Sequence, residues 1–202
     1  HREKFFDDFK REKLLPNKLS QLGPGVSWAD IDGDGDDDVY IGGASGFPGR
    51  IFVNNGSGSF ANRSQLVFKN DAGHEDMGSV FIDPDSDGDL DLFVVSGGVE
   101  CRPEDKILQD RLYINDGYGN FARATYGLIP KINVSGGIVT AADINRDGSV
   151  ELFIGGRVIP GRYPESPRSY ILQNTGRKFI DATDKIAPEI KKAGMVTSAI
   201  FS

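Results

Sequence analysis

The residues that most often carry covalent or metal chemistry are scarce in this chain: one cysteine, Cys101, two histidines, His1 and His74, and one tryptophan, Trp28. A single cysteine excludes an internal disulfide and leaves the redox compartment open. With so little histidine, a nucleophile–histidine–acid triad would have to be built on His74, and no G-x-S-x-G turn accompanies it. Long apolar runs are missing as well. None approaches the roughly 18 residues of a membrane-spanning helix, so direct membrane insertion is not expected. Basic charge is in deficit, with 23 Lys and Arg against 30 Asp and Glu and a net charge of -7, which argues against a nucleic-acid binder that tracks phosphates. The chain opens on His1 with neither Met nor a signal-like apolar stretch, as a mature segment or an excised piece of a longer protein would.

What is abundant is glycine, 26 of 202 residues, in a chain whose 38 % hydrophobic content is enough for a real core. The glycines fall in a repeat. "VSWADIDGDGDDDVYIGG" (26–43), "SVFIDPDSDGDLDLFVVSGG" (79–98) and "VTAADINRDGSVELFIGG" (139–156) are one unit written three times. Each is followed, after a variable insert, by a second shared segment: "RIFVNNGSGSF" (50–60), "RLYINDGYGNF" (111–121) and "SYILQNTGRKF" (169–179). Short β-branched and aromatic runs read as strands, and the Asn/Asp/Gly clusters read as hairpin turns. The order is strand, acidic loop, strand, insert, strand, glycine turn, strand. Acidic loops start at Asp30, Asp83 and Asp143, spacings of 53 and 60 residues. A four-stranded antiparallel unit of that length is a propeller blade, so the pattern predicts an all-β β-propeller fragment of about three blades.

The expected division is 1–22 as the outer strand and linker of a preceding or closing blade, 23–75, 76–134 and 135–193 as blades, and 194–202 as the first strand of a further blade. "FFDDFKREKLLPNKLSQL" (5–22) sits where "FIDATDKIAPEIKKAG" (179–194) sits behind the third unit; a helix over 3–15 is the competing reading. Such an array has a stray strand at each end and open blade edges, which the missing blades or a homodimer would cover.

Six aspartates in the nine residues "DIDGDGDDD" (30–38) repel one another unless something sits among them. Read as nine positions, oxygen-bearing side chains fall at 1, 3, 5 and 9: Asp30, Asp32, Asp34, Asp38; Asp83, Asp85, Asp87, Asp91; Asp143, Asn145, Asp147, Glu151. Position 6 is glycine in each, and position 7 (Asp36, Asp89, Ser149) offers its backbone carbonyl. Short carboxylates alternating on a tightly turned backbone aim their oxygens at one point. That is a hard oxygen cage suited to calcium, up to three ions in all; magnesium demands stricter octahedral geometry, and the absence of thiolate and imidazole argues against zinc. An EF-hand fails, because its position-12 glutamate would fall on Ile41, Val94 and Ile154 and the flanks are strands. The plain alternative is a set of polar turns; three in register weigh against it.

The run D-x-D-x-D-G-D-x-D followed by a "LFVVSGG"-type strand resembles the FG-GAP or VCBS repeat, the calcium-loop blade of integrin α-subunit propellers and of many secreted bacterial proteins. More narrowly, "LLPNKLSQLGPGVSWADIDGDG", "HEDMGSVFIDPDSDGD", "DRLYINDGYGNF" and "GGRVIPGRYPESPRSYILQN" resemble large surface proteins of Bacteroidetes-type bacteria that also carry an ASPIC/UnbV-like segment. The resemblance implies a longer exported parent, at the cell surface, outer-membrane associated or extracellular, and calcium at the loop positions above. It implies no catalytic residue. Ser149 and Glu151 depart from the usual Asp, so the third loop matches the pattern least well.

In such a blade the acidic loops lie on one face of the disc and the inserts "ASGFPG", "VECRPEDKILQD" and "RVIPGRYPESPR" on the other. Variable loops on a fixed scaffold are where recognition concentrates. Arg157, Arg162, Tyr163 and Arg168 make the third insert a cationic and aromatic surface suited to a glycan or protein ligand, unless the arginines pair with neighbouring acids. His74-Glu75-Asp76 offers an imidazole and two carboxylates before a first strand, either a general acid/base group or a polar linker turn. Arg102 beside Cys101 would lower a thiol pKa. Trp28 and Phe81, at matching sites on first strands, read as inter-blade core. Asn55, Asn62 and Asn133 begin N-x-S sequons, relevant only in a eukaryotic source. Three functions follow: a non-catalytic calcium-binding segment for adhesion or recognition, a polysaccharide-acting propeller enzyme, or a structural spacer.

Overall fold

The computed structural model describes residues 2–201, so His1 and Ser202, the outermost residues of the two end segments, lie outside the described residues. Among these, twelve strands form three four-stranded antiparallel sheets, each in chain order. The first joins β1 (Val26–Ala29), β2 (Asp38–Ile41), β3 (Arg50–Asn54) and β4 (Phe60–Arg63). The second joins β5 (Asp76–Ile82), β6 (Asp91–Ser96), β7 (Arg111–Asn115) and β8 (Phe121–Arg123). The third joins β9 (Ser135–Ala142), β10 (Glu151–Val158), β11 (Tyr170–Asn174) and β12 (Phe179–Asp181). These meanders are three propeller blades, and the all-β expectation holds.

Strand β6, "DLFVVS", is buried along its whole length because its alternating side chains serve two cores. Leu92 and Val94 join Ala29, Ile31, Tyr40 and Ile51 in the wedge between blades 1 and 2. Phe93 and Val95 join Val139, Leu152 and Ile154 in the wedge between blades 2 and 3. Each such side chain contributes about 1.5–3 kcal/mol by leaving water. Near the axis the first strands meet backbone to backbone: a Cβ on Gly78 would stand 2.8 Å from the carbonyl oxygen of Gly137. At the outer end of the first wedge a short helix, α2 (Leu66–Asn70), which the strand pattern did not foreshadow, inserts Phe68 against Tyr40, Tyr113 and Phe121.

Among the described residues, neither end segment forms the stray strand expected of it. Residues 5–22 carry one turn of helix, α1 (Asp8–Arg11), and then fold back, because the buried Asp8 carboxylate accepts the N–H groups of Leu19 and Ser20 and the Ser20 hydroxyl. Leu15 and Leu19 pack on Val99 and Val158, at the insert ends of β6 and β10, so the segment lies across the insert face of blades 2 and 3. The Arg11 guanidinium bonds the carbonyls of Val99 and Cys101 there. At the other end, 194–201 form no strand, yet the Val196 N–H donates to the Gly156 carbonyl at 2.9 Å. Asp76 makes the same bond to Gly43, the matching glycine of blade 1. The segment therefore stands in the place of a first strand without the second strand that would ladder with it.

Trp28 departs from its expected burial. It is 57 % exposed and touches Phe60 edge-on at 5.9 Å. Its counterpart Phe81 packs into the wedge between blades 1 and 2. The difference is neighbourhood: Trp28 lies on the face of blade 1 that no blade in this chain covers.

Candidate metal centre

All three acidic loops join the first and second strands of a blade and follow one backbone path. Position 4 is left-handed in each, with φ of 75°, 61° and 62° at Gly33, Ser86 and Arg146, and so is position 6, with φ of 91°, 94° and 90° at Gly35, Gly88 and Gly148. The position-6 glycines were legible in the sequence. The position-4 turn was not, because Ser and Arg disguise it. Position 1 accepts the N–H of position 6 (Asp30 from Gly35, Asp83 from Gly88, Asp143 from Gly148). Position 5 accepts the N–H of position 7 (Asp34 from Asp36, Asp87 from Asp89, Asp147 from Ser149).

Position 9 starts the second strand and is buried every time, Asp38 and Glu151 completely and Asp91 at 1 % exposure. In loop 1, Asp38 Oδ1 accepts from Asn54 N–H at 2.7 Å and Oδ2 from Ile31 N–H at 3.3 Å. In loop 2, Asp91 Oδ1 accepts from Asn115 N–H at 2.8 Å, but Oδ2 has no partner. The residue that would donate to it, at position 2, is Pro84, which has no N–H. Burial, followed by the neighbouring aspartates, pushes the Asp91 carboxyl up to about 7. Burial also raises Asp38 and Asp85, the latter helped by Asp87.

Ligand-type oxygens of Asp30, Asp32 and Asp38 lie within 4.8 Å of one another, as do those of Asp83, Asp85 and Asp87. Asp32 Oδ1 and Asp83 Oδ1 are buried without a hydrogen-bond partner. In each cluster a buried, unpartnered oxygen beside two further carboxylates fits a hard divalent cation, which would neutralise them where a proton or a splayed loop otherwise must; Asp34 and Asp91 lie outside the two clusters. The side chains of Asp36 and Asp89 turn away to the glycines of their blades' hairpin turns, Gly56 and Gly117, so position 7 offers its carbonyl.

Loop 3 behaves differently. Among the described residues, no three of its acidic side chains converge so. Asn145 Nδ2 donates to Asp147 Oδ2 at 2.9 Å and reaches Glu151 Oε1 at 3.5 Å, while Glu151 Oε2 accepts from Ile144 N–H. The N–H of Ser149, then the Asn145 amide, hold Asp147 below its ordinary pKa.

The loops are also tied across blades. Asn115, on β7 of blade 2, donates to the carbonyl of Ile31 in loop 1 at 2.8 Å; Asn174, on β11 of blade 3, donates to that of Pro84 in loop 2 at 2.8 Å. Both acceptors are position 2. The asparagine before each glycine turn was visible in the sequence, but its reach to the previous blade's loop was not.

On the opposite face the candidate ligand residues do not converge. Tyr163 packs with Leu15, Leu19 and Val158, its N–H held by Glu12. Arg162 faces Glu165 at 3.8 Å, and Arg168 pairs with Asp181 and Asp184 and lies over the Tyr170 ring. The stem of Arg157 covers Gly137 on β9. His74, Glu75 and Asp76 also diverge. His74 Nδ1 meets the Ile107 carbonyl at 2.8 Å, with burial lowering its pKa. Glu75 turns to Glu100, and burial, then Glu100, push it up to about 9. Asp76 enters a buried network that sequence reasoning missed: Arg111 to Asp76 at 2.6 Å, Tyr40 to Asp76, and Tyr113 to Asp71. Cys101 corrects another expectation, since burial, then Asp105, push its thiol up to about 11, and the cation acting against this is Arg11 rather than Arg102.

The family model for an FG-GAP-like repeat matches residues 30–94 and 83–154. Both matches begin at position 1 of an acidic loop and run into the second strand of the following blade. No curated protein matches the chain.

Proposed function

The chain belongs to the FG-GAP-like repeat family, and from that premise we propose that it is a non-catalytic, calcium-binding propeller segment of an exported or cell-surface protein that recognises a glycan or protein. The observation that carries the reading is the set of buried, unpartnered carboxylate oxygens of Asp32, Asp83 and Asp91 in two loops of one geometry. Asp30, Asp32, Asp34 and Asp38 with the Asp36 carbonyl would hold one ion. Asp83, Asp85, Asp87 and Asp91 with the Asp89 carbonyl would hold a second. Asp143, Asn145, Asp147, Glu151 and the Ser149 carbonyl would hold a third only weakly, too weakly to fill at about 1 mM calcium. Bound calcium supplies positive charge where the fold has buried negative charge.

The chain's own residues do the rest. The loops close the same end of each blade, and Asn115 and Asn174 link loops 1 and 2 to the next blade, so an ordered loop face stiffens the array. That leaves the insert face for recognition. Among the described residues no helix is long and apolar enough to cross a membrane.

Calorimetric titration and thermal unfolding in EGTA, calcium and magnesium test the proposal. For sites of about 10⁻⁴ M, 1 mM calcium stabilises by about 1.4 kcal/mol each, about 3 kcal/mol for two, or roughly 6–10 °C in Tm. Asp85→Ala should remove about half of that rise, and Asp147→Ala should leave it nearly whole. Equal melting in EGTA and calcium would sink the calcium reading.

A further inference from the structure

Between blades 2 and 3, from the insert residues 106–110 to Lys178 in the β11–β12 turn, lies a cavity of about 930 Å³. Strands β7 and β8 form one wall, β12 another, and the linker 125–133 closes the side toward β9. The volume is at the upper end of small-ligand sites. Its walls are fixed in place. Gln109 donates to the Pro130 carbonyl and accepts from Ile132 N–H, both at 3.1 Å, and Phe179 N–H donates to the Leu128 carbonyl at 2.8 Å. Binding there would leave the backbone of the walls unmoved and order only the exposed side chains that meet the ligand.

The chemistry of the lining opposes that of the molecule as a whole. The protein carries -7, yet Lys106, Lys131 and Lys178 all line this cavity, exposed, and none pairs with a carboxylate among the described residues. Of the two acids in the lining, Asp181 is engaged by Arg168 and by Thr183. The other, Asp110, is 3 % exposed; its Oδ1 accepts from Ser96 N–H, and its Oδ2 has no partner. Burial pushes the Asp110 carboxyl up to about 8, so it adds no firm negative charge to the lining. Tyr126, fully exposed, presents its ring in the same lining, and Ile129 and Phe179 add apolar surface. Exposed cations beside an aromatic face suit a sugar ring that carries acid groups.

We propose that this inter-blade cavity binds an anionic carbohydrate, a short stretch of uronate- or sulfate-bearing glycan, with its acid groups on Lys106, Lys131 and Lys178 and a sugar face on Tyr126. The inference rests on the recognition function above and names its ligand class. A long polyanion is disfavoured by the net charge of the molecule, and an acidic peptide has no ring face to set on Tyr126.

The test is calorimetric titration of the calcium-loaded chain with trigalacturonate, a heparin-derived tetrasaccharide, neutral cellotriose and a hexaglutamate peptide. At least one acidic saccharide should bind, with an affinity that falls as salt rises, while cellotriose should not. Lys131→Glu combined with Lys178→Glu, both at exposed positions, should weaken binding about tenfold or more, and Tyr126→Ala should weaken it several-fold. The proposal is overturned if neither acidic saccharide binds, or if the double charge reversal leaves affinity unchanged. It is equally overturned if hexaglutamate binds as tightly and Tyr126→Ala has no effect, which would assign the cavity to acidic peptides. Calcium titration of the same samples separates the two readings: calcium uptake without saccharide binding removes this inference alone, and failure to take up calcium removes the loop assignment alone.

Discussion

Loops 2 and 3 follow the same backbone path and balance their charge in opposite ways. Loop 2 gathers five aspartates, buries one at position 9, and with Pro84 withholds the N–H that would have satisfied it. Loop 3 places the Asn145 amide between two of its acids, so it supplies its own donor. Packing differs in step. Position 2 of loops 1 and 2 is buried and tied to the next blade by asparagine, whereas Ile144 in loop 3 is 38 % exposed and has no following blade in this chain to hold it. Matching φ angles at positions 4 and 6 therefore do not make identical sites. What distinguishes them is how many buried oxygens are left for a cation and how firmly the loop is held while it waits.

The largest effect expected from this difference concerns the inter-blade tie. Asn115→Ala removes two bonds, to the carbonyls of Ile31 at 2.8 Å and Leu90 at 3.2 Å, and leaves the first of these buried without a partner. The cost should be about 2 kcal/mol, or roughly 4–8 °C in Tm. Calcium affinity at loop 1 should fall with it, although Asn115 belongs to blade 2. Asn145→Ala, exposed in loop 3, should move Tm by less than about 1 °C in calcium. Equal effects of the two substitutions would break the contrast between tied and untied loops.

Much of this was legible in the residues. Period-two runs, hairpin glycines and the threefold repeat gave the blades, because local pattern and tertiary burial agree there. The loop positions followed from the spacing of their oxygens. The end segments were misjudged because a lone carboxylate, Asp8, folds 5–22 back on itself, and no periodicity announces a tertiary hydrogen bond. Trp28 was misjudged because burial depends on the neighbouring blade, which the matching of repeat positions does not register. The Asp76–Arg111 pair and the cavity beside Asp110 join residues distant in sequence. Such meetings are set by how blades pack, and each partner alone reads as an ordinary polar residue.

Pro84 allows the charge balance of loop 2 to be moved toward that of its neighbours. In EGTA the Asp91 carboxyl, held at about 7 in the folded chain, lies above its ordinary range. Its contribution to stability is therefore complete below the unfolded carboxylate pKa of about 4 and is lost as pH rises toward and through 7. Wild-type Tm in EGTA should fall across that window. Pro84→Ala restores a donor for Oδ2, lowers the folded pKa and should flatten the fall, gaining about 1 kcal/mol, or roughly 2–4 °C, at pH 8. In saturating calcium the gain should shrink, because the ion already satisfies the same oxygen. A gain independent of pH would mean that the proline is not the cause of the unpartnered carboxylate.

The smallest effect is the most discriminating. Asn145→Asp replaces the amide that bridges Asp147 and Glu151 with a fourth acid, so loop 3 loses its internal donor and gains a ligand. Its backbone already matches loops 1 and 2, so no rearrangement is required. Titration should move from two calcium ions per wild-type chain toward three. With a site of about 10⁻³ M the stabilisation at 1 mM calcium is only about 0.4 kcal/mol, near 1 °C in Tm, so stoichiometry is the readout to trust. In EGTA the variant should melt below wild type, because the added charge now stands uncompensated beside Asp147 and Glu151. Three ions in the wild-type chain at that calcium concentration would show instead that the Asn145 amide does not substitute for calcium, and that backbone path alone makes the site.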